Sequence, residues 1–308
     1  MKTLQPKDDG YGAKGYRSVG SRPSLVVIVG PTASGKSDLA MQVAKKFNGE
    51  IICADSRTIY KGMDIGTAKP SLPDRKAIQH WGLDLLEPGN KFSAADFKKY
   101  AEETIKDIKG RGKLPILVGG TGLYVDAVLF DFSFVEPRKL PLHWRLTMPM
   151  WSISKLQKVI QQNDWPLPEN KKNRRHLINT IRRNGRVGKQ AKMPRDDALI
   201  IGLLPADNVL RNRISKRAEA MFNAGIIEET RRLMQDYGKR TLEGTAGIIY
   251  KIVVQAIEGK IDSETAITKF KYADWQYARR QKTWFKRNRY INWFSDQKPA
   301  FEFIEKSL

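Results

Sequence analysis

The chain has 308 residues, which is long enough for one large core with an inserted or appended subdomain. Its 55 Lys and Arg against 33 Asp and Glu give a net charge of +22, which favours a polyanionic partner such as nucleic acid over an uncharged one. The sequence has no basic amphipathic anchor and no apolar run long enough to span a membrane, which argues against an anionic membrane surface as the partner. Its single cysteine, Cys53, excludes an internal disulfide. We therefore expect a protein of the reducing cytoplasm.

The first predicted element is a buried strand over residues 25–29, which leads into the glycine-bounded sequence GPTASGKS. This sequence matches the pattern G-x-x-x-x-G-K-[ST] of a phosphate-binding loop. Backbone N–H groups and the following helix would face phosphate oxygens, while Lys36 adds a charge and Ser37 a hydroxyl for Mg²⁺. The predicted diphosphate-binding residues are Gly30, Pro31, Thr32, Ala33, Ser34, Gly35, Lys36 and Ser37. A nucleoside triphosphate, a phosphate ester and an allylic diphosphate all fit the pattern, and a chance match is the remaining alternative.

A predicted helix over residues 38–47 leads to a second short buried strand over residues 51–54. Asp55 and Ser56 follow this strand, at the edge where an open parallel sheet binds its ligand. The Asp55 carboxylate could act as a general base, hold Mg²⁺ through water, or cap a turn. Residues 57–70 contain two glycines and a proline without a sustained period, which predicts a loop over the site.

Further units of a helix followed by a strand extend the sheet. An amphipathic helix over residues 92–109 precedes a strand over residues 114–118, which ends in a glycine turn and another helix. Thr121 in that turn either contacts substrate or caps the helix. Residues 199–204 predict another strand. This succession predicts an α/β fold, a P-loop NTPase-like doubly wound parallel sheet with helices on both faces.

Composition changes after residue 134. Residues 138–195 contain fifteen Lys and Arg but two acids, interleaved with three tryptophans. A solvated basic face is one interpretation, but the interleaved aromatic residues favour a subdomain that contacts RNA. Basic residues between 170 and 186 are too dense for us to expect a packed helix there. We predict a flexible tail over residues 1–24, a core with the phosphate loop over 25–133 and 196–308, and a small, mainly helical, basic insertion that contacts RNA over 134–195.

The sequence pattern in the last third of the chain predicts long helices. One begins at Asp207 and has an apolar stripe that we assign to the core. The final one starts near Ser263 and ends in ARRQKTWFKRNR, where six basic residues and no acid surround Trp284 and Phe285. This end predicts a second surface that faces a polyanion. No heptad run requires a dimer, and we expect a monomer.

Six segments together resemble the bacterial tRNA dimethylallyltransferases. They are GPTASGKS, DSRTIYKGMDIGTAKP, FSAADF, LVGGTGLY, VLRNRISKRAEAMFNAGIIEETRRL and ARRQKTWF, in the order and spacing of that family. The resemblance covers most of the chain between residues 25 and 294, and the segment from DS to TAKP is its most specific part. It implies transfer of a dimethylallyl group from dimethylallyl diphosphate to N6 of the adenosine next to the anticodon of tRNA, with Mg²⁺. The phosphate loop would then bind a diphosphate leaving group in place of ATP.

The resemblance also implies roles for individual residues. Asp55 would remove a proton from the adenine amine as the allylic C–O bond breaks, while Thr32, Lys36 and Mg²⁺ on Ser37 would meet the charge of the leaving diphosphate. Ala246 stands where some members have an arginine for the diphosphate, and the insertion is shorter than usual. The residues implied to contact the anticodon stem-loop are Asp55, Ser56, Arg57, Thr58, Thr121, Asn173, Arg174, Arg175, Arg279, Arg280, Gln281, Trp284 and Lys286.

Two other function classes remain open at this stage. A small-molecule kinase also needs a phosphate loop and an aspartate at a neighbouring strand end, but this chain lacks a short arginine-rich lid and is more basic than a metabolite requires. A non-catalytic RNA-binding protein would keep the loop as a fold element, and the change at Ala246 favours that alternative. Transfer of label from dimethylallyl diphosphate or from ATP would distinguish the three classes.

Overall fold

The computed structural model describes residues 22–245 and 247–308. Most of the predicted tail, residues 1–21, therefore lies outside the described residues, and so does the departure at Ala246. Ser24, at the end of the predicted tail, is bonded to Asp197. Its N–H donates to the Asp197 carbonyl at 2.9 Å and its hydroxyl donates to the carboxylate at 3.2 Å. The ordered core thus includes Ser24.

The described residues contain one six-stranded parallel sheet. Its strands are β1 (Leu25–Val29), β2 (Gly49–Cys53), β3 (His80–Trp81), β4 (Leu114–Gly119), β5 (Ala198–Leu203) and β6 (Asn292–Phe294). Their order across the sheet is β3-β2-β4-β1-β5-β6, and every pairing is parallel. Because adjacent parallel strands end on the same edge, the segments that follow β1, β2 and β4 lie side by side. The predicted doubly wound α/β sheet is confirmed.

Helices surround this sheet. In the first half of the chain they are α1 (Lys36–Lys46), α2 (Leu72–Ala77), α3 (Ala94–Gly110) and α4 (Gly122–Leu129). All residues of β1, β2 and β5 are buried, as expected where helices cover both faces of a parallel sheet. The start of α3 is fixed by a capping box in which Ser93 and Asp96 exchange side-chain to backbone hydrogen bonds.

Residues 130–193 form a compact unit of their own. Its elements are α5 (Leu142–Thr147), a 3₁₀ turn (Met148–Met150), α6 (Ile153–Gln162) and α7 (Arg174–Arg182). The expectation that residues 170–186 are too basic for a packed helix is wrong. Leu177 and Ile181 lie four residues apart on α7, so both side chains reach one buried face while the basic residues occupy the rest of the helix.

The last helix, α13 (Gln297–Ser307), packs into the core of the sheet through Ala300 and Ile304. The other remaining helices build a second apolar core within the larger unit. They are α8 (Asp207–Asn223), α9 (Ile226–Tyr237), α10 (Lys239–Thr245), α11 (Ile248–Ile257) and α12 (Ser263–Phe285). Ile59 and Met63 pack into this core beside Leu233 and Tyr250. Residues 57–70 form the predicted loop, but its apolar side chains are anchored among these helices. None of the described helices is both long and apolar enough to cross a membrane.

Candidate active site

The phosphate loop turns directly from β1 into α1. Gly30 has φ +155°, and a Cβ there would lie 2.5 Å from the Leu203 carbonyl oxygen, so the close approach of β5 requires glycine. Thr32 and Ser34 are buried in the loop. The Ser34 hydroxyl is buried without a hydrogen-bond partner among the described residues. The space before the first turn of α1 is lined by Thr32, Ala33, Gly35, Lys36 and Ser37 of the loop.

Two cations reach this loop. The Lys36 ammonium donates to the Pro31 carbonyl at 3.3 Å, and burial lowers its pKa to about 8 against the opposing effect of the Asp55 charge. The Arg213 guanidinium donates to the Ser34 carbonyl at 3.1 Å. A bound anion would favour the charged form of Lys36, so the loop is electrostatically suited to a phosphate group.

Asp55 follows β2 and takes part in a turn. Its Oδ1 accepts a hydrogen bond from the Arg57 N–H at 2.8 Å, which is the local contact expected of an aspartate cap. The same residue also lines two cavities, so its position in the turn directs it toward ligand space. Asp55 can therefore stabilise the turn and still act on a ligand in the cavities.

Two cavities adjoin at the carboxyl edge of the sheet. The first has a volume of about 750 Å³ and is lined by phosphate-loop residues such as Lys36 and Ser37. The second has a volume of about 510 Å³ and is lined by aromatic and basic residues that include Trp284 and Arg280. Five residues line both cavities, namely Thr32, Asp55, Thr67, Ala68 and Arg217. The space before the phosphate loop and the aromatic space therefore share a boundary at Asp55 and Thr32.

The first cavity contains oxygen ligands of the kind that Mg²⁺ prefers. Ser37, Asp38 and Asp55 all line it. Within residues 22–245 and 247–308, no group of three or more His, Cys, Asp or Glu side chains is arranged to hold a metal ion. An ion held here would take its protein ligand from the Ser37 hydroxyl and its remaining ligands from phosphate oxygens and water.

Several predicted tRNA contacts gather at the second cavity. Those that line it are Asp55, Ser56, Arg57, Thr121, Arg280, Gln281 and Trp284. The Thr121 hydroxyl accepts from the Ser56 N–H at 3.0 Å, so it joins the turns after β2 and β4. Arg57 donates to the Thr245 carbonyl.

Other predicted contacts are engaged within the protein. Gln281 is buried, and its amide bonds to the backbone of Thr32 and Gly120. Thr58 is buried and lines the first cavity. In the unit of residues 130–193, Asn173 accepts from the Arg175 N–H and caps α7, while Arg174 donates to the Pro149 carbonyl. Arg279 and Lys286 are exposed near the C-terminal end of α12 and line neither cavity.

The sequence interpretation missed Arg217. Its guanidinium donates to the buried carboxylate of Asp274, and its side chain lines both cavities. Its Nε is buried and has no hydrogen-bond partner in the part of the chain that the structure describes. The signal was present, because Arg213 and Arg217 lie four residues apart and therefore share a face of α8. The apolar stripe on the same helix led us to assign it to the core alone.

Trp284 is held as a rigid aromatic surface of the second cavity. Its indole N–H donates to Asp126 Oδ2 at 2.7 Å, and the Arg287 guanidinium lies 4.1 Å from the ring centroid. Burial raises the pKa of Asp126 to about 6, although the Trp284 hydrogen bond opposes that rise. A base entering this cavity would meet an aromatic ring that is already oriented.

Comparisons with known proteins identify the family of this chain. A family model described as IPP transferase matches residues 58–288. The tRNA dimethylallyltransferase of Staphylococcus epidermidis is 36% identical to this chain, and the match covers 92% of this chain and 90% of that protein. The tRNA dimethylallyltransferase of Oceanobacillus iheyensis is 38% identical, and the match covers 89% of this chain and 91% of that protein.

Solved structures give the same result. The crystal structure of tRNA delta(2)-isopentenylpyrophosphate transferase from Staphylococcus epidermidis has a TM-score of 0.68 and 35% identity, and the match covers 92% of this chain and 98% of that one. The crystal structure of a eukaryotic dimethylallyltransferase acting on tRNA has a TM-score of 0.70 and 26% identity, and the match covers 85% of this chain and 69% of that one. The chain belongs to the IPP transferase family.

Proposed function

We propose that this protein is a tRNA dimethylallyltransferase, which transfers the dimethylallyl group of dimethylallyl diphosphate to N6 of the adenosine next to the anticodon. Relatives with that name match this chain over nearly their whole length. The observation that supports the proposal most directly is the shared boundary of the two cavities. A donor at the phosphate loop and an acceptor base in the aromatic cavity would meet at Asp55 and Thr32.

The first cavity suits the diphosphate. Loop N–H groups and Lys36 would bind its oxygens, and a bound Mg²⁺ on Ser37 would supply additional positive charge. Arg217, whose Nε has no hydrogen-bond partner among the described residues, is the cation that we assign in place of the arginine that some family members carry at the position of Ala246.

The second cavity suits an adenine taken out of the anticodon loop. Trp284 and Tyr277 offer aromatic faces for stacking, while Arg280 can meet a neighbouring phosphate. The net charge of +22 supports binding of the tRNA backbone around this opening.

The residues at the boundary would perform the transfer. The adenine N6 attacks the allylic carbon, the C–O bond breaks with its electron pair leaving on the diphosphate, and the N6 proton passes to the Asp55 carboxylate. Lys36, Arg217 and the loop amides stabilise the developing charge on the diphosphate, while Thr32 adjoins both reactants. Exclusion of water from this boundary would protect the allylic diphosphate from hydrolysis.

One assay tests the function. The full chain is incubated with unmodified tRNA and either radiolabelled dimethylallyl diphosphate or γ-labelled ATP, with Mg²⁺ present. Label from the allylic donor should enter the tRNA and map to the adenosine next to the anticodon. Label from ATP on a small molecule would instead identify a kinase, and no transfer from either donor, with tRNA still bound, would identify a non-catalytic RNA-binding protein.

A further inference from the structure

Glu229 on α9 is a buried carboxylate to which the chemistry above assigns no role. It is 4% exposed, and four donors converge on it. Its Oε2 accepts from the N–H groups of Asp64 and Ile65 at 3.0 and 2.8 Å. Its Oε1 accepts from the Gly66 N–H at 3.1 Å and from the Tyr250 hydroxyl at 2.7 Å. One side chain therefore binds three consecutive backbone amides that lie more than 160 positions earlier in the sequence.

Those amides belong to a segment that continues to the boundary of the two cavities. We call residues 64–68 the wall segment, because its last two residues, Thr67 and Ala68, each line both cavities. Ala68 has φ +53°, a left-handed conformation that is costly for alanine and needs support from the surrounding structure. The wall segment thus depends on outside contacts for its shape.

Tyr250 supports the same segment through packing. A Cβ at Gly66 would lie 2.5 Å from the Tyr250 ring, so the ring lies directly against the backbone of the wall segment. Burial and the neighbouring Glu229 charge raise the pKa of Tyr250, which keeps the phenol a hydrogen-bond donor to that carboxylate. Glu229 and Tyr250 therefore act on the wall segment as one unit.

A second anchor lies beside the segment. The Lys69 side chain is 1% exposed, and its ammonium donates to the Tyr60 carbonyl at 2.6 Å, to Asp64 at 2.7 Å and to Asp84 at 2.5 Å. Because Glu229 binds it on one side and Lys69 on the other, the wall segment is a fixed partition and not a lid that swings open.

We propose that Glu229 is a positioning residue, which holds the wall segment so that the donor cavity and the base cavity meet at Asp55 in one geometry. This inference rests on the proposed function. The positioning role explains why the side chain at position 229 is a carboxylate. A carboxylate has enough acceptor sites for four donors, whereas an amide would turn an N–H₂ group toward at least one of them. Displacement of the wall by about 1 Å would misplace both reactants at once.

The first test measures the wall segment without any reaction. In hydrogen exchange of the intact chain, the amides of Asp64, Ile65 and Gly66 should be protected, and Glu229→Gln should raise their exchange at least severalfold while exchange in β1 and β4 stays unchanged. Glu219→Gln is the matched control, because Glu219 lies on exposed surface and pairs with Lys271. Unchanged protection in Glu229→Gln would overturn the inference, whether or not the protein transfers a prenyl group.

The second test measures the reaction. In single turnover with labelled dimethylallyl diphosphate and tRNA, Glu229→Gln should be about tenfold to a hundredfold slower per folded molecule, while its affinities for inorganic pyrophosphate and for tRNA stay within about twofold of the parent. Tyr250→Phe, which removes one donor and keeps the ring, should have a smaller effect. A parental rate in Glu229→Gln with an exposed wall segment would also overturn the inference. Absence of transfer in the parent itself would refute the proposed function and leave the exchange test to decide whether Glu229 holds the wall.

Discussion

Gln281 on α12 accepts a hydrogen bond from the Thr32 N–H at 2.8 Å, and this bond joins the last long helix to the phosphate loop. The same amide donates to the Gly120 carbonyl at 2.9 Å, so one buried side chain ties the turns after β1 and β4 together. The helix that presents Trp284 to the second cavity is thereby coupled to the loop that shapes the first.

Replacing Gln281 with Leu should disturb the phosphate loop. The Thr32 N–H and the Gly120 carbonyl would lose their buried partner, which should cost about 1–3 kcal/mol of unfolding free energy. Affinity for inorganic pyrophosphate, measured by calorimetry, should fall as well. Thr283→Ala on the exposed face of the same helix is the control and should change neither quantity. Unchanged pyrophosphate affinity in Gln281→Leu would show that the loop keeps its shape without this bond.

Asp55→Asn should separate binding from proton transfer. Asparagine keeps the acceptor for the Arg57 N–H, so the turn should persist, but it cannot take the N6 proton. Binding of both substrates should survive, while the single-turnover rate falls by roughly two to four orders of magnitude. A parental rate in well-folded Asp55→Asn protein would refute the assignment of the base. Partial rescue at raised Mg²⁺ would point to a water-mediated metal role instead.

Lys36→Ala should affect the donor and not the tRNA. The Lys36 ammonium lines the first cavity and faces the loop carbonyl of Pro31, so its loss should weaken dimethylallyl diphosphate binding and turnover. Affinity for tRNA, measured by filter binding, should be nearly unchanged. The same experiment with ATP as a competitor addresses the kinase alternative. Competition by ATP as strong as that by an unreactive allylic diphosphate analogue would favour a kinase.

Binding of an anticodon stem-loop should depend steeply on salt. Arg279 and Arg280 are both exposed, and each phosphate contact that they make would release counterions. The double change to Ala should reduce the slope of log affinity against log salt by about one for each lost contact. An unchanged slope would place this part of α12 outside the tRNA interface.

Glu50 gives a stability prediction with a defined pH dependence. It is buried at the start of β2 and accepts from Arg111, Lys113 and the Trp81 indole, and the hydrogen bonds from Arg111 contribute most to lowering its pKa to about 2. The ionised form therefore stabilises the fold above the ordinary pKa of 4.5, and that stabilisation is lost as the pH falls toward 2.

Glu50→Gln should consequently lower the free energy of unfolding on the order of 2 kcal/mol at pH 7 and by much less at pH 3. Urea unfolding at the two pH values measures the difference. An equal loss at both would show that packing, and not the charge of Glu50, accounts for the effect.

The sequence by itself determined the sheet and the phosphate loop. Strands such as β1 and β4 are short apolar runs followed by glycine turns, and the loop pattern needs residues that are adjacent in the chain, so both follow from local chemistry. Asp55 could be located for the same reason, since it directly follows a buried strand. The composition also indicated the basic insertion, although it misled us about α7, where the spacing of Leu177 and Ile181 outweighed the density of charge.

Tertiary structure alone decided which side chains meet. Gln281 and Trp284 are three residues apart on one helix and both line the base cavity, yet Gln281 is also buried against Thr32, because α12 packs across the ends of β1 and β4. Arg217 lines both cavities beside Thr32 and Asp55, and Glu229 binds the wall segment, although each lies more than 150 residues later in the chain than these residues. No local pattern specifies such contacts, because burial of a polar group is favourable only where distant segments supply its partners.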